Sequence, residues 1–283
     1  MKILVDSTCD LQEEEMQRYD IRSLPLRVKV GECDYKDKVD IQVDDVFVAM
    51  RNGIVPQTSQ PSLEDIINTF TECAQKGEDV IYLCFSSKLS GTYQTVYIFL
   101  EEMSKKYPDN KFRIIDTKAG SIAIGLMAIQ GARLIEQGHN YEEVVRQMKF
   151  MAEHVEHIFT LADLSWLVKG GRISKTMGLV GNMLNIKPII EVSNGEMQVI
   201  HKVRGQKKTL GQLVDIVEQR IKHYKDQTIG IAYAADREFA DSIEAMIRER
   251  LGDVKIVTTP IGSVLGSHLG LSGVGICFFN AKN

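Results

Sequence analysis

Asp79-Val-Ile-Tyr-Leu-Cys-Phe-Ser-Ser87, an apolar run closed by two serines, leads through Ser90-Gly91-Thr92 into the amphipathic stretch Tyr93–Lys106. The order reads as strand, short loop, helix, with Ser90 at the N-cap and Gly91 just inside. The first turn of such a helix has unpaired backbone N–H groups and the positive end of the helix dipole, which together suit an anion. A second hydroxyl-rich loop, Pro56-Gln-Thr-Ser-Gln-Pro-Ser62, also precedes a helical stretch. Loops at the carboxyl ends of parallel strands converge on one edge of a sheet, so the two loops point to one site for a small acid.

Working outward, Lys2–Val5 reads as a buried strand ended by Asp6-Ser7-Thr8, and Leu11–Tyr19 as a short acidic helix. Ser23–Val30 alternates as a strand, and residues 31–57 form a polar excursion with a helix at Asp44–Arg51. Helices are predicted at Leu63–Lys76 and Tyr141–Val155, the latter capped by Asn140 with Glu143 three residues on. Phe112–Asp116 is a strand, and Gly120–Gln137 is apolar on nearly every face, with Gly125 and Gly131 inside it. Alternating strands and helices imply a parallel sheet covered on both sides.

The texture changes after His157–Ala162. Two runs, Ile186–Val192 and Met197–Lys202, flank Asn194-Gly195, the strongest short-range hairpin cue. Helices follow at Thr209–Tyr224 and Glu238–Leu251, with strands at Ile229–Ala234, Val254–Thr258 and Val274–Phe279. The expected fold class is therefore α/β with two domains. Residues 1–160 form an N-terminal Rossmann-like α/β/α domain with a parallel sheet. Residues 161–283 form a C-terminal α/β domain with a mixed, partly antiparallel sheet.

The chain has 283 residues and a net charge of −4, which favours neither nucleic acid nor a polyanionic surface. Its five cysteines are scattered, odd in number and without a CxxC pair. A disulfide framework or zinc site is not expected, and a reducing cytoplasm fits best. The opening apolar run is too short for a signal peptide, and no segment approaches the ~18 apolar residues of a membrane span.

Each candidate site has a plainer alternative. Ser90, Gly91 and Thr92 suit an anion, yet Ser90 is also an ordinary helix cap. Thr58 and Ser59 complete the same site or simply shape the turn before Pro61, with Ser62 capping the next helix. Lys169-Gly-Gly-Arg172-Ile-Ser-Lys-Thr176 lacks the spacing of a phosphate loop. It reads either as a double-glycine turn before a helix at Ser174–Leu184, or as glycines that let Arg172 point into a cleft at the domain junction. Leu179, Val180, Met183 and Leu184 then give that helix an apolar face.

Gly262-Ser-Val-Leu-Gly266-Ser-His268-Leu-Gly270 lacks dinucleotide-loop spacing and reads as a Gly/Ser-rich loop carrying His268, one of six histidines. There is no GxSxG elbow for serine hydrolysis. Asp6 has no partner carboxylate at a metal-binding spacing, which leaves it a capping role.

These pieces, in this order, resemble the DegV family. The matching elements are Asp6-Ser-Thr-Cys-Asp-Leu11, Thr58-Ser-Gln-Pro-Ser62, Ser86-Ser-Lys-Leu-Ser-Gly-Thr92, Gly170-Gly-Arg-Ile-Ser174, Lys187-Pro-Ile-Ile190 and Gly266-Ser-His-Leu-Gly270. They span essentially the whole chain. The last departs from the commoner form, with Ser267 in place of Thr and Leu271-Ser272 in place of Pro-Gly.

The resemblance implies a two-domain protein that buries a long-chain fatty acid and is itself the lipid-presenting subunit of a two-component fatty acid kinase. A separate ATP-binding kinase subunit, its expected partner, would convert the carboxylate to an acyl-phosphate. Carried over by position, Thr58 and Ser90 contact the carboxylate, with Ser59, Gly91 and Thr92 beside them. Arg172 and His268 serve phosphoryl transfer or kinase docking. No cofactor, metal or catalytic residue is implied, only the fatty acid as ligand.

Physical chemistry agrees with that picture. A chain of roughly fifteen methylenes gains up to ~12 kcal/mol on burial, before ordering costs, and hydroxyl contacts add about 1 kcal/mol each. Chain burial sets affinity and the polar end sets orientation. Two other classes stand beside this one: a free-standing fatty acid carrier, and an acyl-ester hydrolase.

Overall fold

The computed structural model describes residues 1–174, 186–221 and 224–282. Four strands, β1 (Lys2–Asp6), β2 (Arg22–Leu24), β6 (Val80–Cys84) and β7 (Phe112–Asp116), form a wholly parallel sheet in the order β2-β1-β6-β7. Every residue of β1 and β6 is buried, because both faces of this sheet are covered. Leu4, Tyr82 and Ile114 point to one face, against Ile66 and Phe70 of α3 (Leu63–Gln75) and Val96 and Leu100 of α4 (Thr92–Lys106). Ile3, Val5, Ile81, Leu83 and Ile115 point to the other, against α5 (Ile122–Glu136) and α6 (Tyr141–His154). The capping box at Asn140 and Glu143 opens α6 as its sequence signature requires.

A second sheet of six strands has the order β10-β9-β8-β13-β11-β12. Its members are β8 (Val155–Thr160), β9 (Ile186–Ser193), β10 (Glu196–Arg204), β11 (Thr228–Tyr233), β12 (Lys255–Pro260) and β13 (Val274–Phe279). Only the β11–β12 pair is parallel, so the sheet is mixed. It begins at Val155, five residues ahead of the boundary expected at 160. One face (Ile158, Ile229, Ile231, Ile276, Phe278) packs on α8 (Gln206–Arg220) and α9 (Arg237–Leu251). The other (Ala232, Cys277, Phe279) turns toward α5.

Helix α5 is apolar all round for this reason: it lies between the two sheets. A Cβ on Gly230 of β11 would come within 2.7 Å of Ile122, and one on Gly125 within 2.7 Å of Leu11. Gly230 on the second sheet, and Gly131 on α5 where a Cβ would stand 3.1 Å from Ile3 of β1, let helix and sheet backbones approach.

Several expectations change. Ser23–Val30 is two strands, β2 and β3 (Arg27–Val30), parted at Pro25, which cannot donate to a ladder. The polar excursion holds β4 (Cys33–Lys36) and α2 (Val43–Arg51), and Thr58 sits not in a loop but on β5 (Gln57–Ser59). These strands make a third, antiparallel sheet, β4-β3-β5.

Ser90 is not the N-cap of α4. Gly91 is, and Ser90 lies one residue before it. The Gly/Ser-rich stretch near the C-terminus is a helix, α10 (Ser263–Leu269), rather than a loop. Poor intrinsic helix formers are overridden there by burial: a Cβ on Gly266 would reach 2.8 Å from Val43 and 3.1 Å from Phe47 of α2. The short helices α1 (Glu13–Arg18) and α7 (Ser165–Lys169) complete the set. The predicted helix at 174–184, with its apolar face of Leu179, Val180, Met183 and Leu184, lies outside the described residues.

Candidate functional site

Strand order reverses between β1 and β6, and the crevice at a parallel sheet's reversal point is where ligands usually sit. Asp6 closes β1 with a fully buried carboxylate that accepts from the backbone N–H of Phe85 at 2.8 Å and of Thr8 at 3.0 Å. Burial raises its pKa against those donors. Asp6 therefore shapes the two loops rather than facing a ligand.

Beyond β6 the chain turns through Ser86–Ser90 into α4. Ser90 Oγ is 2.9 Å from Thr92 Oγ1 and accepts from the Thr92 N–H at 3.3 Å. Strand β5 is held beside this turn because Thr95 Oγ1 donates to Gln60 Oε1 at 2.8 Å. Thr58, Ser59 and Gln60 thus stand next to Ser90 and Gly91.

From the other side comes α10. His268 Nε2 lies 2.7 Å from Thr58 Oγ1. Its Nδ1 is buried without a hydrogen-bond partner among the described residues and packs on Gly170, where a Cβ would overlap the ring. Burial, helped by the nearby positive Arg172, pushes the imidazole down to about 4, so it is neutral at pH 7. Gly171, with φ of +72°, makes the turn that follows α7. The double glycine therefore does two separate things.

Arg172 donates through Nε to the Leu89 carbonyl at 3.1 Å and through Nη1 to the Gly170 carbonyl at 2.6 Å. Both acceptors are neutral. Among the described residues no carboxylate pairs with this guanidinium, and burial lowers its pKa. It remains charged, because guanidinium does not lose its proton in proteins. A half-buried cation with no counter-ion among the described residues, flanked by hydroxyls and a neutral imidazole, is electrostatically suited to a carboxylate or phosphate.

These groups form one end of a cavity of about 380 Å³. The rest of its wall is largely apolar. Leu26, Phe85 and Leu89 come from the first half of the chain; Phe159, Val192, Met197, Ala232, Ile261, Val264, Leu265 and Leu269 come from the second. The β9–β10 hairpin closes the wall. Its turn residues Asn194 and Gly195 have φ of +49° and +86°, and the Gly195 carbonyl accepts from Ser86 Oγ at 2.8 Å.

Of the residues singled out from the sequence, Thr58, Ser59, Ser90, Gly91, Arg172 and His268 line this one cavity. Thr92 does not. It is fully buried, with its hydroxyl on Ser90. The sequence reasoning missed Gln60, Phe85, Ser121, His157 and Met197. Phe85 carried a local signal, as the last large residue of the apolar run, and Gln60 stood inside the Thr58–Ser62 motif, where Thr95 of α4 holds it; Ser121, His157 and Met197 are placed by α5 and the second sheet.

A family model described as "Uncharacterised protein, DegV family" matches residues 1–281. The chain belongs to the DegV family. A DegV domain-containing protein of Clostridium perfringens is 34% identical, the alignment covering 98% of this chain and 96% of that one. A DegV family protein from Thermus thermophilus, whose structure is described as showing fatty acid binding, is 26% identical with a TM-score of 0.91, covering 98% of each chain. The fatty acid kinase B3 protein of Streptococcus pneumoniae, solved loaded with linoleic acid, is 23% identical with a TM-score of 0.88 over 99% of each chain. That last likeness establishes the DegV fold alone. Among the described residues no helix of this DegV chain is long and apolar enough to cross a membrane.

Proposed function

We propose that this DegV protein binds a long-chain fatty acid, with the hydrocarbon in the apolar cavity and the carboxylate at the Thr58–Ser90–Arg172–His268 end. The Arg172 guanidinium, with no carboxylate partner among the described residues, at one end of a largely apolar cavity carries this reading. The fatty acid bound by its Thermus relative supports it. Thr58 and Ser90 hydroxyls orient the carboxylate, while Arg172 neutralises its charge.

The same end serves a second step: a separate ATP-dependent kinase subunit transfers a phosphoryl group to the presented carboxylate. A carboxylate oxygen attacks the γ-phosphorus, the bond to the β-phosphate oxygen breaks, and ADP leaves. Negative charge gathers on the transferring oxygens, where Arg172 can compensate it. The fold shared with the streptococcal fatty acid kinase B3 protein, and the absence of a phosphate-loop motif in the sequence, favour a partner over self-contained catalysis. Ester hydrolysis fits less well. With a pKa near 4, His268 is a weak base at neutral pH, and no carboxylate orients its Nδ1 among the described residues.

Mass spectrometry of lipid extracted from the purified protein tests the first step. A long-chain fatty acid near one per chain is expected. No acid in the extract and no uptake of added acid would overturn the reading. Bound acid that no kinase subunit phosphorylates would leave a free-standing carrier.

A further inference from the structure

One polar group in the cavity wall has no part in gripping the carboxylate. His157 lies on β8 with Phe159 on the same face, their rings 5.8 Å apart, and both line the cavity. The neighbouring strand presents Gly275 opposite Phe159 and Cys277 opposite His157. A Cβ on Gly275 would stand only 3.7 Å from His157 Nε2, so the missing side chain leaves room beside that nitrogen. Gly275 itself lines the cavity.

His157 Nδ1 is buried without a hydrogen-bond partner among the described residues. No charged group contributes to its titration: burial alone pushes the imidazole down to about 4. At neutral pH the ring thus offers one N–H donor and one lone pair. Leaving such a group unpaired beside hydrocarbon costs free energy that a leucine or phenylalanine there would avoid. The carboxylate end does not account for it. The chain runs from His157 through Phe159 and Thr160 to the end of β8, then through α7 to Gly170, where His268 is held. Three residues of strand, about 10 Å, separate His157 from Thr160 at the end of β8.

We propose that the cavity selects a fatty acid carrying a hydroxyl group part-way along its chain, hydrogen-bonded by His157. A hydroxyl both donates and accepts, so it pairs with Nε2 in either tautomer of the neutral imidazole, whereas a plain chain cannot. This rests on the fatty-acid reading above and adds the class of acid. The discrimination follows from pairing: a site built to hydrogen-bond a substrate oxygen rejects the analogue lacking it, because its own polar group is then stranded.

The test is a competition assay on delipidated protein with octadecanoic acid and its positional hydroxy isomers, the hydroxyl moved one carbon at a time. The wild-type protein is expected to bind one isomer, or two adjacent ones, about five-fold or more tighter than the parent acid, the effect of one net hydrogen bond. His157→Phe removes both ring nitrogens and is expected to erase that preference while holding the parent acid at least as tightly. His157→Gln retains a donor and an acceptor and is expected to restore part of it.

Tight binding of the parent acid with no gain from any isomer overturns this proposal and leaves the fatty-acid reading intact. So does a preference that survives in His157→Phe. Failure of every acid to bind overturns the fatty-acid reading, and this proposal with it. Because the wild-type scan alone can decide, a His157→Phe chain that fails to fold does not shelter the idea.

Discussion

His268 Nε2 and Thr58 Oγ1 lie 2.7 Å apart across 210 residues of chain, joining α10 to β5 at the polar end of the cavity. The pair couples two elements with little else in common: a short antiparallel strand and a helix rich in glycine and serine. Both groups are neutral, so the contact is an ordinary hydrogen bond of about 1 kcal/mol net. Its value is positional, since it aims a hydroxyl and an imidazole at the same point.

Removing the Thr58 hydroxyl therefore acts in two ways. Thr58→Val keeps the shape and strands His268 Nε2, while Ser90→Ala removes one hydroxyl from the rim. Each is expected to weaken fatty acid binding by about 1 kcal/mol, roughly five-fold, with chain burial still holding the ligand. Calorimetric titration checks this. Complete loss of binding in a folded variant would mean the acyl chain lies elsewhere.

Gly170→Ala tests the seating of His268. The new methyl overlaps the imidazole, so the ring must leave its place. Expected is a fall in acyl-phosphate formation by an added kinase subunit matching that of His268→Ala, with the double variant little worse than either single one. Such non-additivity marks two residues acting through one contact. Additive losses would show that Gly170 matters for some other reason.

Arg172→Ala and His268→Ala are expected to separate holding from reacting. Neither side chain is needed to bury hydrocarbon, so lipid content measured by extraction stays near normal. Acyl-phosphate formation by an added kinase subunit, at matched lipid loading, is expected to fall ten-fold or more, about 1.4 kcal/mol. Parent rates in both variants would remove these residues from the transfer step.

Stability should fall on mild acidification. His157 and His268 are both pushed down from 6.5 to about 4 in the folded protein. As pH drops through that window the unfolded chain takes up protons that the folded one refuses, which favours unfolding. Stability is fully present above about 6.5 and is lost progressively toward 4, by up to about 3 kcal/mol for each histidine. Urea unfolding of delipidated protein across this range checks it, and His157→Phe is expected to flatten the slope. A slope unchanged in that variant would mean other groups dominate.

How much of this was legible beforehand follows the range of the interactions involved. The buried strands β1, β6 and β7, helices α3 to α6, the Asn194-Gly195 hairpin and the Asn140 cap all announce themselves. Each is decided by periodicity or turn chemistry within a few residues. The motifs also carried the resemblance to DegV proteins, and six of the residues chosen from them do line one cavity. By itself, then, the chain determined its α/β class, its family and most of the polar rim.

Tertiary structure decided the rest. That β5 is a strand depends on pairing with β3, and that α10 is a helix depends on burying Gly266 against Val43 and Phe47. Ser90 yields the cap to Gly91, a shift of one residue that local propensity cannot resolve. His157 reads as an unremarkable histidine until alternation along β8 turns it toward α5 and the cavity. Such outcomes rest on contacts between residues dozens to hundreds of positions apart, whose free energies exist only once the chain has brought its sheets together.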